Sequence, residues 1–377
     1  MRRFLLPLLF PCALAAAPQD AAEFVDLMPG KDLAGWVNVN GAPETWQVVD
    51  GVLRCTGKPI SALRTERMYE NFVFECEWRH LQSGGNAGIF VWAGPLPAVG
   101  APFLRAIEVQ VLDHGYGNTA DYTTHGDVFP IWGSTMKPFG RHKGMRSFPS
   151  EERSKPSPEW NHYRIEARDG VLRLSVNGKE VSGGEDCNWR KGYLGLEAEG
   201  APTEWRNLRI LELPGGKGTP EQTATEARGH RPLYCGDLRG WRAEPAAAKA
   251  FLAKDWQLVL AADGAAGSAL GTEATFADFE LIVDVRPGKG AAAADGADGG
   301  IALGDEERRV VIPFGALDAE RWQRVVVRRT GETATVAIEG RGAPAESCAV
   351  PAGRCRVWIV HPGRTVQVCN LFVREER

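Results

Sequence analysis

Asp50-Gly51, Asp169-Gly170 and Asn177-Gly178 each stand between short runs in which apolar and polar residues alternate. Such a pair tolerates the left-handed backbone of a two-residue hairpin turn, so each one requires two antiparallel strands. The flanking runs have the period of a strand. In Asn71-Phe72-Val73-Phe74-Glu75-Cys76-Glu77-Trp78, the side chains of Phe72, Phe74, Cys76 and Trp78 share one face, and those of Glu75 and Glu77 share the other. Trp160–Ala167, Val171–Val176 and Tyr193–Glu199 alternate in the same way. Sustained helical periodicity is hard to find, and 44 glycines and 24 prolines punctuate the chain. The expectation is an all-β protein.

The order of these signals then returns. Gly35-Trp36 is echoed by Gly240-Trp241, and Trp46-Gln47 by Trp256-Gln257. Asn71-Phe72 is echoed by Asp278-Phe279, Gly88-Ile89 by Gly300-Ile301, Trp160-Asn161 by Trp322-Gln323, and Asn207-Leu208 by Asn370-Leu371. Between the two series, residues 214–231 are rich in Gly, Pro, Thr and charge and lack apolar periodicity, which marks a linker. A length of 377 residues is enough for two cores. The chain therefore reads as two jelly-roll β-sandwiches in tandem over residues 23–213 and 232–377, the second smaller and degenerate.

The repeat is most informative where it fails. Ile89 and Trp160 are separated by a long stretch, whereas Ile301 and Trp322 are close together. The extra stretch holds Glu108, Gln110, Asp113, His114, Asp121, His125, Asp127, Trp132 and His142. A segment that one copy of a fold can do without is better explained by function than by folding.

Composition excludes several partner classes. The net charge is -4, with both signs mixed along the chain, so nucleic acid and anionic membrane surfaces are not expected as partners. No phosphate loop or nucleotide-binding glycine motif occurs, and no nucleotide cofactor is expected. Residues 1–17 read as a signal peptide: Arg2-Arg3, an apolar run from Phe4 to Leu14, and Ala13-Leu-Ala15 as a small-x-small site. The mature protein is expected to be exported, periplasmic or secreted, without an integral membrane segment. Seven cysteines follow the signal, an odd set with no C-x-x-C spacing. Buried free thiols or a single bridge both fit. The oligomeric state is not legible.

Glu108 and Gln110 lie on one face of a strand whose other face is Val109 and Val111. Glu197 and Glu199 repeat the pattern on a late strand. By strand statistics either pair is as often a solvated outer face as a site. Two such strands crossing one groove would gather several carboxylates. His114, His125, Asp113 and Asp127 have the chemistry of general acids, bases or metal ligands, although loops are polar by default. Asn86 sits in a glycine-rich turn. Trp92, Tyr116, Tyr122, Phe129 and Trp132 are aromatics of the kind on which sugar rings stack, or ordinary packing residues. The Glu-x-Asp-x-x-Glu pattern of the sandwich glucanases is absent.

Taken together, Gly35-Trp36, Trp46-x-Val-x-Asp-Gly-Val-Leu53, Gly-Gly-Asn86-Ala-Gly-Ile-Phe90, Ile-Glu108-Val-Gln110-Val-Leu-Asp113, Val-Asn177-Gly178, Gly192-Tyr-Leu-Gly-Leu-Glu197 and Trp205-Arg-Asn207-Leu-Arg-Ile210 resemble the 3-keto-disaccharide hydrolase domain family. Its fold is similar to the concanavalin A-like lectins and glucanases. His125-Gly-Asp127 and Ser150-Glu-Glu-Arg153 resemble the planctomycete-type branch, and Glu199 departs from the His that many relatives carry. The resemblance implies a carbohydrate substrate and cleavage of 3-keto-glycosides: a base removes the C2 proton, the C1 substituent is eliminated and water adds. It implies Glu108, His125 and Asp127 as catalytic residues or ligands of a divalent metal ion. It implies Asn86, Gln110, Asp113, His114, Trp132, Glu197 and Glu199 as sugar-binding residues. The alternative is a non-catalytic carbohydrate-binding or adhesion module using the same groove.

Overall fold

The computed structural model describes residues 23–226, 229–243, 247–289, 299–314, 317–342 and 345–376. The expected signal segment lies outside them, as do residues 290–298 of the Gly/Ala-rich loop. The described residues form strands with three short 3-10 turns and no α-helix. No helix among them is long and apolar enough to cross a membrane.

The hairpins form where the sequence places them. Asp50 and Gly51 adopt φ of 52° and 75°, Asp169 and Gly170 49° and 83°, and Asn177 and Gly178 47° and 85°. They join Trp46–Val49 to Val52–Cys55, Asn161–Arg168 to Val171–Val176, and the latter to Lys179–Glu185. Phe72, Phe74, Cys76 and Trp78 are all buried in the core between the sheets. Fully burying an apolar side chain of this kind contributes about 1.5–3 kcal/mol. On the opposite face Glu75 pairs with Arg209 and Glu77 with Arg206.

The first sandwich has a back sheet of nine strands and a front sheet of eight. The front sheet runs, in spatial order, His142–Lys143, Arg146–Ser147, Val128–Ile131, Ala106–Leu112, Asn86–Ala93, Tyr193–Ala198, Ser61–Thr65 and Trp36–Val39. In the second sandwich the front sheet has five strands: Arg309–Pro313, Gly300–Gly304, Arg356–Val360, Ala269–Thr272 and Trp241–Ala243. Its back sheet has eight, and the strand order in both sheets matches that of the first sandwich wherever strands are present. The three front-sheet strands without a counterpart are Val128–Ile131, His142–Lys143 and Arg146–Ser147, all within the stretch that only the first copy carries.

The two sandwiches pack on each other. Ile282 and Phe372 of the second back sheet join Val39, Ala62, Phe90, Leu104, Ala106 and Tyr193 of the first in one apolar cluster. Beside it, fully buried Asp284 accepts hydrogen bonds from Gly100 N (2.9 Å), Asn370 Nδ2 (2.6 Å) and Arg324 Nε (2.7 Å). Arg324 also donates to the Pro97 carbonyl across the boundary, at 2.7 Å. The segment after Pro214 lies on the first sandwich, where Arg190 N and Gly218 N bond to Gln222 O and Glu70 Oε1. The seven cysteines are free thiols.

Candidate functional site

Strand alternation builds the site. On Ala106–Leu112, Val109 and Val111 enter the core and Glu108 and Gln110 face out. Tyr163, buried behind the strand, donates its hydroxyl to Gln110 O at 2.9 Å and fixes the strand's position. The register sets Gly88 opposite Gln110, Phe90 opposite Glu108, and Leu196 opposite Ile89. Asn86 bridges to Glu199. Glu108, Gln110, Asn86, Glu197 and Glu199 thus emerge on one face of three adjacent strands. They line a groove of about 450 Å³, with Phe103, Phe129, Ile131, Trp132 and Arg146 completing its walls. That is room for a ligand of disaccharide size. Phe103 and Ile131 also pack against the cluster between the sandwiches, so the second sandwich supports one wall.

The carboxylates are not on a solvated face. Glu108 is 7% exposed and Glu197 2%. A Cβ built on Gly88 would lie 2.9 Å from Glu197 Oε2 and 3.0 Å from Glu108 Oε1. The two carboxylates therefore converge over a residue that has no side chain to interfere. Burial, reinforced by the charge of Glu199, pushes the Glu108 carboxyl up to about 8. Burial and the charges of Glu108 and Glu199 push Glu197 well above the usual carboxylate range. Glu199 is raised by burial, while a hydrogen bond from Glu197 opposes the rise. The Arg146 charge favours the ionised form of Glu108, and no cation among the described residues does the same for Glu197, so of the two the surroundings favour the proton on Glu197. Its Oε2 has no hydrogen-bond partner in the protein.

A hydrogen-bond chain ties the groove together. Arg146 Nη1 donates to Asp127 Oδ2 at 3.0 Å and reaches Gln110 Oε1 at 3.5 Å. Gln110 Nε2 donates to Asn86 Oδ1 at 2.8 Å, and Asn86 Nδ2 donates to Glu199 Oε2 at 2.5 Å. Arg146 lies over the Phe129 ring, 3.4 Å from its centroid. Trp132 stands at the rim, 49% exposed, on a left-handed backbone with φ of 51°.

Residues 23–211 match the family model of the 3-keto-alpha-glucoside-1,2-lyase-like domain. The chain belongs to this family. No curated protein matches it. Among solved structures, it is similar to a Parabacteroides distasonis protein provisionally named a glycosyl hydrolase. The identity is 23%, covering 51% of this chain and 100% of that one, with a TM-score of 0.40. It is similar also to the Bacillus subtilis carbohydrate-binding module CBM66, at 15% identity, 47% and 96% coverage and a TM-score of 0.35. A third similarity is to the VIP36 exoplasmic/lumenal domain bound to Ca2+ and Man3GlcNAc, at 10% identity, 53% and 94% coverage and a TM-score of 0.35. At these values the likenesses carry nothing about function.

Within the lyase-like domain, the structure brings together six of the residues singled out from sequence: Glu108, Gln110, Asn86, Glu197, Glu199 and Trp132. It takes the others elsewhere. Asp127 is fully buried and holds Thr123 N and Thr123 Oγ as well as Arg146, so it has no free face toward a substrate. Asp113 accepts from Gly84 N, Gly115 N and Ser157 N at 2.7–2.9 Å. Burial alone would raise its pKa, but these three N–H groups outweigh it and hold the carboxyl low. Asp113 is a loop clamp, in place of the expected sugar ligand. His125 and His114 both meet Ser154 Oγ at 2.9 Å, with their rings 4.7 Å apart. His125 faces a separate small pocket with Asn118, Thr119, Arg141 and Glu152. Burial lowers its pKa, against the pull of Glu152. Trp92 is buried, with Nε1 donating to Glu70 O, and is a packing residue.

The expected metal-ligand trio of Glu108, His125 and Asp127 therefore does not assemble. Among the described residues no three His, Cys, Asp or Glu side chains group as metal ligands. The residues present do not fit a divalent ion at the groove. The residue that sequence reasoning missed is Arg146. Its short strand lies in a Gly-containing hairpin without an alternating pattern, and Arg105, Lys137, Arg141, Lys143 and Arg153 share the extra stretch, so nothing in the sequence singles it out.

Proposed function

We propose that the first sandwich cleaves glycosides carrying a ketone at C3. The ketone acidifies the proton on C2, and Glu108 in its ionised form takes that proton. A base whose pKa lies close to the working pH combines availability with proton affinity, and burial places Glu108 in that range. The electron pair left on C2 delocalises onto the C3 oxygen as an enolate. It then returns to form the C1=C2 double bond as the C1–O bond breaks. The departing oxygen needs a proton, and Glu197, whose burial favours the protonated form, supplies it. Water then adds across the double bond, with hydroxyl to C1 and hydrogen to C2, and releases the 3-keto sugar. Gln110, Asn86 and Glu199 orient the sugar through its hydroxyls, and Trp132 offers a ring face at the rim.

The observation that carries this reading is the convergence of Glu108 and Glu197 over Gly88 in a groove of disaccharide size, with burial favouring the protonated form of Glu197. The site thus holds a base and an acid whose environments separate their roles. The test is product release from 3-keto-trehalose and 3-keto-lactose beside their unoxidised parents, with wild type and Glu108→Gln. The expected result is cleavage of the keto sugars alone, lost in the variant. Cleavage of the parents would make the protein an ordinary glycosidase. Binding without cleavage of any of the four would make it a carbohydrate-binding module.

A further inference from the structure

Forming the enolate leaves negative charge on the substrate's C3 oxygen, and a group fixed in advance at that position supplies most of the rate. Glu108 and Glu199 bring no positive charge to it, and the proton of Glu197 is committed to the leaving oxygen. Arg146 is the one cationic side chain in the groove's lining. It is held by three contacts: Nη1 bonds to Asp127, the same nitrogen reaches Gln110, and the guanidinium carbon stands over the Phe129 ring. Its Nε and Nη2 make no hydrogen bond to the protein among the described residues. Asp127 cannot follow a ligand, because it is fully buried and its carboxylate is also bonded to Thr123. A guanidinium fixed along one edge presents the other edge at a defined position, which a flexible ammonium does not. Arg146–Ser147 and Val128–Ile131, which place the cation and its ring support, belong to the strands without counterpart in the second sandwich.

We infer that Arg146 donates hydrogen bonds to the C3 oxygen of the substrate as it becomes an enolate, and that Asp127 is the positioning residue that aims it. No proton leaves Arg146. The C2 proton goes to Glu108, its electron pair to the C3 oxygen and then to the C1=C2 bond, and the guanidinium holds the charge in between. The inference rests on the lyase reading above. It gives Arg146 the charge-stabilising task that a divalent metal ion could otherwise perform.

The experiment compares wild type, Arg146→Met, Arg146→Ala, Arg146→Lys and Asp127→Asn on 3-keto-lactose. It reads kcat and KM together with exchange of the C2 proton in D2O by NMR. Expected for Arg146→Met is a fall in kcat and in C2 exchange of about 10²–10³, with KM changed only a few-fold. Added guanidinium ion should restore part of the activity to Arg146→Ala. Arg146→Lys should keep the fold and lose about tenfold or more. Asp127→Asn should lower kcat by less than Arg146→Met does. EDTA should leave wild-type activity unchanged. Near-wild-type kcat in folded Arg146→Met or Arg146→Lys would overturn the role of Arg146 and leave the lyase reading standing. Loss of wild-type activity in EDTA, restored by a divalent ion, would return the charge-stabilising task to a metal. A wild type that exchanges no C2 proton and cleaves no keto sugar would overturn both readings.

Discussion

The two sandwiches use the same strand order for opposite surfaces. Ile89 pairs with Val109 and Leu196, and Ile301 pairs with Ile312 and Ile359. Stepping outward from these core pairs, Glu108 corresponds to Val311, Gln110 to Pro313, Glu197 to Val360 and Glu199 to Pro362. Every groove carboxylate of the first sandwich is an apolar residue in the second. Gly195, against Phe90 and Leu104, corresponds to Trp358, which packs with Ala269, Ala302 and Val360 and donates Nε1 to Gly304 O. The lesson is a separation of tasks within each strand. The inward residues keep the fold, as Ile301 and Ile359 do, while the outward residues are free to carry chemistry or to lose it.

This comparison breaks most sharply at its central pair. Glu108→Gln should lower turnover of a 3-keto-glycoside by about 10²–10⁴ and leave the melting temperature unchanged or higher, because it removes a buried ionisable group. Val311→Gln, at the equivalent place, should leave turnover unchanged. Equal losses from both would mean that the second sandwich takes part in the chemistry.

The next largest effect concerns what the second sandwich is for. Its Asp284 holds Arg324, Asn370 and the loop at Gly100 that leads to Phe103 in the groove wall. Asp284→Ala should cost up to about 3–5 kcal/mol by leaving buried Arg324 with only the exposed Glu339, 3.7 Å away, as a carboxylate partner. Urea unfolding would show the loss, and KM should rise as the Phe103 wall loosens. A variant with unchanged KM would reduce the second sandwich to a passenger.

Glycines sharpen the contrast. The atoms nearest a Cβ on Gly88 would be side-chain atoms of Glu197 and Glu108, at 2.9–3.1 Å. A Cβ on Gly300 would lie 2.0 Å from the backbone oxygen of Ile312. Gly88→Ala should therefore damage kcat far more than stability. Gly300→Ala should lower stability by about 1–3 kcal/mol with kcat intact. Paired kcat and thermal-melting measurements decide it, and the reverse outcome would place the groove's constraint on the backbone.

Much of this was legible beforehand, for a physical reason. Hairpins at Asp50-Gly51 and Asn177-Gly178 are local, since backbone sterics alone select those residues, and the alternation of Phe72 to Trp78 reports burial directly. Glu108, Gln110, Glu197 and Glu199 could be placed on outward faces by counting. That those faces were a groove and not solvent could not, because it depends on three strands distant in sequence meeting side by side. The loop residues were harder still. Asp127, Asp113 and His125 have the chemistry of catalytic groups, but Thr123, three backbone N–H groups and Ser154 occupy them, and no spacing in the sequence encodes such partners. Arg146 went unseen for the converse reason: a single arginine in a polar hairpin becomes a site only through Asp127 and Phe129.

A smaller effect is expected with pH. Glu108, Glu197 and Glu199 titrate above their unfolded values, so between roughly pH 4.5 and 8 the folded protein holds protons that the unfolded chain has released. Their contribution to stability is therefore fully present at low pH and declines as pH rises through that window. Glu197→Gln should flatten the slope in denaturation curves taken from pH 5 to 8, whereas substitutions on the carboxylate-free front sheet of the second sandwich should leave it unchanged. In the same window kcat/KM for a keto sugar should rise with pH as Glu108 ionises. A flat activity profile would remove Glu108 as the base.

The smallest effect separates strain from use at Trp132, in the part of the front sheet that the second sandwich lacks. A tryptophan with φ of 51° and half its surface in water gains little from packing and bears a backbone cost of about 1 kcal/mol or more. A ring kept there at a cost is explained by a ligand that stacks on it. Trp132→Gly removes the ring and relieves the backbone together, so stability should rise by up to about 1 kcal/mol while KM for a disaccharide rises a few-fold. Trp132→Ala should raise KM equally without the gain in stability, because alanine keeps most of the left-handed penalty. If both variants lower stability and leave KM alone, the ring is packing against the rim of the groove, and sugar recognition falls to Gln110, Asn86 and Glu199 on the strands beneath it.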